Sequence, residues 1–249
     1  MTSPSYKCQA ADPATCSYHS AAGVSRRIDL LFSKKKDRVF AGNHVDSTYS
    51  PHLGDNDYRV IAKEFQARLS DEDKRSILGY VHSGFKFINF ALNRGDDVES
   101  FPEYDKRIVK RLDTLFEQHA DVEKPNVLYR GLRYDTALAA VKGARVGKRL
   151  SVKNFQSTTA SPIVARNFVD KSAPVILEIK GASNALPISF RDNPHSSEEE
   201  YLLNRNTEYR VVKVSKKVKW SFSDERNKSY SLDNVTVIEL IEIPAKPSK

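Results

Sequence analysis

From Asp57 to about Gln118 the apolar residues recur every three to four positions, and beyond Pro125 they recur every second one. The first spacing belongs to helices and the second to strands, because side chains repeat every 3.6 and every 2.0 residues respectively. Val60, Ile61, Phe65 and Leu69 predict a first amphipathic helix. Ser70-Asp71-Glu72-Asp73 then offers a side-chain cap and a first turn of acids, which suit the positive end of a helix. Ile77, Tyr80, Val81, Phe85, Ile88 and Leu92 carry one stripe through a long helix ending near Gly95. A third helix is predicted over 103–118, with Ile108, Leu112, Leu115 and Phe116 on its buried face.

The strand signals are β-branched or aromatic runs bounded by Gly, Pro, Asn or Ser: 127–129, 149–152, 175–179, 209–214 and 235–243. One short helix is predicted between them, over 162–170. Helices first and strands afterwards imply an α+β fold. Upstream, residues 1–25 are rich in Ser, Ala and Pro and read as a disordered leader, and 26–56 as an irregular linker or short helix. A single folded domain is therefore expected over 57–245.

Composition narrows the chemistry. With 249 residues, 39% hydrophobic and 29% charged, the chain reads as an ordinary soluble globular protein. Its two cysteines, Cys8 and Cys16, argue against a disulfide framework and a zinc site of the usual spacing. No run approaches the roughly 18 apolar residues of a membrane span, and the N-terminus lacks the layout of a secretory signal. A net charge of +8 points to an acidic partner: nucleic acid, an anionic membrane surface, an acidic protein or a phosphate-bearing ligand. The lysine clusters 34–36 and 213–219 read as solvated faces.

Three segments set polar groups beside strands that ought to be buried. In Tyr129-Arg130-Gly131 the arginine must meet an anion, lie in a cleft, or snorkel from an edge strand, since an unpaired buried charge is costly. In Phe155-Gln156-Ser157-Thr158-Thr159 the hydroxyls cap a turn, pair across strands, or serve a site. In Ser197-Glu198-Glu199-Glu200-Tyr201-Leu202-Leu203, strand alternation would put Glu198 and Glu200 on one face. Two carboxylates side by side repel unless a cation or donor offsets them, so the pair is a solvated edge or a working site.

The order of these motifs resembles the Arg–Ser–Glu class of mono-ADP-ribosyltransferase toxins and effectors, over about residues 57–243. Ile77-x-x-Tyr80-Val81 with Ile88-Asn89-x-x-Leu92 resembles the family's helix beneath the dinucleotide, and Val164-Ala165-x-x-Phe168 the short helix after the Ser-Thr-Thr strand. The resemblance implies N-terminal helices packed on a mixed two-sheet β core, with NAD as substrate and no metal. It implies that Arg130 holds NAD by its phosphate and ribose side, with Gly131 near the nicotinamide and Asn89 on the adenosine half. Ser157 would orient Glu200 and, with Thr158, bind the dinucleotide; Glu200 would bind the nicotinamide ribose, and Glu198 would face the acceptor. Phe190, Arg191 and His195 fall in the loop where family members contact their target. Two positions depart from the pattern. Thr159 stands where the family has a third Ser, and Leu92-Asn93-Arg94 moves the usual Leu-Arg arginine about 100° round the helix.

These residue types suit the chemistry. Breaking the nicotinamide–ribose bond leaves an oxocarbenium-like sugar, as in glycoside hydrolysis, and a fixed carboxylate stabilises that charge more than the ground state. Arginine's planar fork suits the pyrophosphate. Within the family, Glu two residues before the catalytic Glu goes with arginine acceptors, so Glu198 implies transfer to arginine on a target protein. The expected setting is a monomeric toxin or effector, secreted without a signal peptide and acting in a eukaryotic host cytoplasm, with actin, a small GTPase or ubiquitin as target. Competing readings are a non-catalytic module of the same fold and transfer to threonine or to nucleic acid; the protein-type Glu-x-Glu weighs against nucleic acid.

Overall fold

The computed structural model describes residues 55–188, 198–223 and 228–244. The expected leader with Cys8 and Cys16, nearly all of the linker, and Phe190, Arg191 and His195 lie outside the described residues.

Helices come first, as the apolar spacing implies: α1 (Asp55–Ala67), α2 (Asp71–Gly79), α3 (Phe85–Arg94) and α4 (Glu103–Gln118). The Ser70 hydroxyl accepts the Asp73 amide at 3.2 Å, and the Asp73 carboxylate accepts the Ser70 amide at 2.8 Å, a reciprocal cap that starts α2. Arg111 of α4 donates to the other Asp73 oxygen, so the same carboxylate ties two helices together. Gly95, at φ 84°, ends α3 in the left-handed conformation that glycine adopts without a Cβ clash.

The long helix expected over this region is broken in phase. Between α2 and α3 the backbone makes a π-turn, Tyr80–Gly84, whose wider turn rotates the following residues. Ile88, Ala91 and Leu92 stay buried, whereas Phe85 turns outward to 37% exposure. Val60, placed in the α1 stripe by spacing, is 54% exposed because the buried face follows Tyr58, Ile61, Ala62 and Phe65.

The strands are β1 (Val127–Leu132), β2 (Arg149–Val152), β3 (Gln156–Thr159), β4 (Val175–Lys180), β5 (Ala185–Pro187), β6 (Glu200–Leu203), β7 (Thr207–Ser223) and β8 (Ser229–Ile243). They join in one mixed sheet, ordered β2-β7-β8-β4-β1-β3-β6-β5. The α+β expectation holds, but the two separate sheets do not appear as such. Instead the sheet narrows at its middle: β1 and β4 share six registered pairs, while β1 and β3 meet only at Tyr129 and Thr159. Past that pair β1 and β3 share no further register, and the candidate residues gather there. Helix α6 (Pro162–Asn167) follows β3, where a short helix was predicted. Helix α5 (Tyr134–Gly143) and β5 were not predicted.

Two apolar layers hold the junction. On one side Ile77, Tyr80, Ile88, Leu112, Leu115 and Phe116 from the helices pack with Phe155, Leu186 and Leu202. In the other, Leu128, Leu132, Tyr201, Leu203 and Tyr209 pack with Tyr58 and Ala62 of α1. Truncating a fully buried leucine in such a layer costs about 2–5 kcal/mol. Strand β6 contributes to both through alternation, with Leu202 facing one layer and Tyr201 and Leu203 the other.

Candidate functional site

Strand pairing sets the site. Thr159 lies opposite Glu200 and Ser157 opposite Leu202, so Ser157 and Glu200 are diagonal neighbours on one face. The Ser157 hydroxyl donates to Glu200 Oε1. Arg130, one residue past the single β1–β3 pair, donates through Nη1 to the Ser157 backbone carbonyl and so links β1 to β3 beyond that pair. A serine thus touches the carboxylate with its hydroxyl and the guanidinium with its carbonyl. Three side chains from three strands become one unit.

Glu200 is only 6% exposed. Its backbone carbonyl accepts the Tyr58 hydroxyl and the Ile188 amide, each at 2.9 Å, which ties the start of β6 to α1 and to the residue after β5. Burial, reinforced by the neighbouring Glu198 charge and opposed by Arg130, pushes the Glu200 carboxyl up to about 8. Once ionised, such a carboxylate is poorly screened by water and acts strongly on a cation placed beside it.

Tyr80 extends the cluster. Its buried hydroxyl accepts the Asn89 amide at 3.0 Å and feels the charges of both Glu200 and Arg130. Burial holds that phenol above its usual range, so it stays a neutral hydrogen-bonding group. Tyr80 lies in the core stripe where its spacing places it, 3% exposed, at the first residue of the π-turn. Asn89 is thereby linked to the same cluster, one turn along α3.

The other sequence-derived positions divide. Gly131 lies where a Cβ would press into the Ala165 carbonyl and come within 2.9 Å of the Phe168 carbonyl carbon, so α6 can sit against β1 only over a glycine. Arg133 adds to that contact, donating to the carbonyls of Phe168 at 3.1 Å and Asn167 at 2.8 Å. Thr158, grouped by resemblance with the dinucleotide-binding residues, points the other way by alternation: it is buried and its hydroxyl donates to the Tyr201 carbonyl at 2.7 Å. Arg94 is exposed, pairs with Asp96 and lies over Phe90. Glu198 precedes β6, and Glu199 between the two acids has φ 45°. The strand pleat therefore stops at Glu200, and the turn, not alternation, sets where Glu198 points.

A buried carboxylate, a serine that orients it and an arginine beside both is a geometry for binding a phosphorylated sugar and steadying positive charge on it. A family model for the ADP-ribosyltransferase exoenzymes matches residues 57–239. The chain belongs to that family. This ADP-ribosyltransferase is an NAD-dependent mono-ADP-ribosyltransferase acting on protein, of the bacterial toxin type, and NAD is its substrate. Among solved structures it is similar to exoenzyme S from Pseudomonas aeruginosa, seen in complex with human 14-3-3 protein beta and bound to carba-NAD. The match has 25% identity over 74% of this chain and 82% of that one, with a TM-score of 0.51. The C3stau2 protein from S. aureus with NAD matches at 18% identity over 79% and 99% of the two chains, with a TM-score of 0.55. The Clostridium limosum C3 exoenzyme matches at 16% identity over 80% and 99%, with a TM-score of 0.52. At their level of identity these last two speak for the fold. No curated protein matches the sequence. Among the described residues, no group of His, Cys, Asp and Glu could hold a metal ion, and no helix is long and apolar enough to cross a membrane.

Proposed function

We propose that Glu200, Ser157 and Arg130 form the NAD-cleaving centre of this transferase, and that Glu198 engages an arginine side chain on a host protein. The observation that carries the reading is the buried Glu200 carboxyl held by the Ser157 hydroxyl beside Arg130. Arg130 takes the phosphate and ribose side of the dinucleotide, with Gly131 beside the nicotinamide and Asn89 toward the adenosine half. Thr158 supports the strand that carries Ser157.

The nicotinamide–ribose bond breaks with its electron pair leaving on the ring, so the pyridinium departs as neutral nicotinamide. The sugar is left as an oxocarbenium ion, which ionised Glu200 stabilises; fixed electrostatic groups of this kind are worth on the order of 100- to 1000-fold in rate. A guanidine nitrogen of the acceptor then bonds the anomeric carbon, and Glu198 accepts the proton it loses. The similarity to a Pseudomonas enzyme seen with a human protein supports a toxin acting in host cytoplasm. Actin, a small GTPase and ubiquitin are the candidate targets.

The test is nicotinamide release from NAD by the purified protein, alone and with agmatine as a free guanidine. Host lysate with labelled NAD then identifies the modified protein and residue by mass spectrometry. Release and transfer are expected from the wild type and a loss of roughly 100-fold or more from Glu200→Ala. Full turnover by that variant would remove Glu200 from its role. A label on threonine or on nucleic acid would overturn the arginine acceptor.

A further inference from the structure

The position of Glu198 needs its own explanation, because the strand cannot supply it. Glu199 sits at φ 45°, a left-handed conformation that a non-glycine residue holds only under restraint from its surroundings. The restraint comes from the end of β3. The Thr159 hydroxyl donates to the Glu198 carbonyl at 2.7 Å and accepts the Ser161 amide at 3.0 Å. The next amide, Ala160 N, donates to the Glu199 carbonyl at 3.4 Å. Both carbonyls of the turn are therefore held by the last residue of β3 and the one after it, the first of them by a side chain. Thr159 is buried, and its hydroxyl uses its proton and a lone pair on two backbone groups.

We propose that Thr159 is a positioning residue for the acceptor side of the reaction: its hydroxyl latches the strained Glu198–Glu199 turn and thereby aims the Glu198 carboxylate, while Ser157 separately orients Glu200. The inference rests on the reading of Glu198 as the acceptor-facing acid. One strand then serves both halves of the transfer. Ser157 acts on the carboxylate that meets the sugar, and Thr159 acts two residues along, on the backbone of the carboxylate that meets the nucleophile. Thr158 between them is turned into the core.

Hydrolysis of NAD by water depends on Glu200, whereas transfer to a guanidine needs Glu198 as well, so the two activities separate the roles. A misplacement of about 1 Å in a reacting group can cost on the order of 100-fold in rate. The experiment measures nicotinamide release without acceptor and transfer to agmatine for wild type, Thr159→Val and Thr159→Ser, with crystal structures of wild type and Thr159→Val. Valine keeps the β-branch and removes the hydroxyl; serine restores it. Expected for Thr159→Val is a transfer-to-hydrolysis ratio lowered roughly tenfold or more, a displaced Glu198–Glu199 backbone, and rescue by serine. A ratio unchanged in Thr159→Val, equal loss of both activities, or an unmoved turn would overturn the latch. If valine does not fold, Thr159→Ala removes the hydroxyl without that constraint and carries the same readouts. Should the wild type hydrolyse NAD yet modify no guanidine, the arginine reading falls by itself. The position of the turn in the variant crystals then decides the latch.

Discussion

Replacing Glu200 by Gln tests the electrostatics of the site without emptying it, because the amide keeps the shape and an oxygen for the Ser157 hydroxyl. In the folded protein the carboxyl is held at about 8 in place of its ordinary 4.5, so ionising it there costs about 5 kcal/mol more than in the unfolded chain. The sign follows from proton uptake. Between these two values the folded state binds more protons than the unfolded one, so this group's contribution to stability falls as pH rises. The contribution is intact below the unfolded value and lost as pH climbs through the folded one. The loss amounts to about 1 kcal/mol at pH 5, about 3 at pH 7 and about 5 at pH 9. Glutamine never ionises. Glu200→Gln is therefore expected to gain stability over the wild type by amounts that grow along that series, read as urea midpoints at the three pH values. It is also expected to lose nicotinamide release by roughly 100-fold or more. A stability difference that stays flat from pH 5 to pH 9 would show that the carboxyl is not held protonated by its surroundings.

Two further outcomes follow from the same contacts. Nicotinamide release per unit NAD at low substrate is expected to climb with pH until about 8, as Glu200 ionises; Glu198→Gln, by removing the like charge, should move that rise to lower pH, and an unmoved profile would contradict the coupling. Gly131→Ala forces a Cβ into the Ala165 carbonyl and against Phe168, and is expected to cost about 1–3 kcal/mol in urea denaturation; an alanine variant as stable as the wild type would mean that α6 can shift away from β1 freely.

Where side-chain type alone carried the information, the sequence could be read directly. Ile108, Leu112, Leu115 and Phe116 all fall in the helical core, and Arg130, Ser157 and Glu200 stood out because each is polar among residues that strands bury. What spacing could not convey was anything that depends on partners distant along the chain. The π-turn at Tyr80–Gly84 leaves no mark in the apolar pattern until Phe85 is found facing outward. Helix α5 went unseen because it buries only Ala137 and Gly143, too little to make a stripe. The division of labour among Ser157, Thr158 and Thr159 is a matter of register, Ser157 against Leu202 and Thr159 against Glu200, and a one-residue slip would exchange their faces. Alternation failed between Glu198 and Glu200 for a local reason, the left-handed Glu199.

The substrate itself completes the electrostatics on the proposed reading. A free site that holds Glu200 largely protonated at neutral pH is a poor stabiliser of cations, yet NAD arrives with a positive nicotinamide ring. Binding that ring next to the carboxyl favours ionisation, so the charge that catalyses is drawn out by the charge to be moved. When the bond breaks, the positive charge passes from the ring to the ribose, and the ring leaves neutral. A carboxylate fixed at the sugar gains from that transfer in proportion to how little water screens it. Burial of Glu200 therefore has opposite effects on the two states of the enzyme: it makes the empty site harder to ionise and the occupied one more effective. A serine that holds the carboxylate in place and an arginine that anchors the phosphates are what such a site requires, and β1, β3 and β6 bring them together where β1 and β3 share a single registered pair.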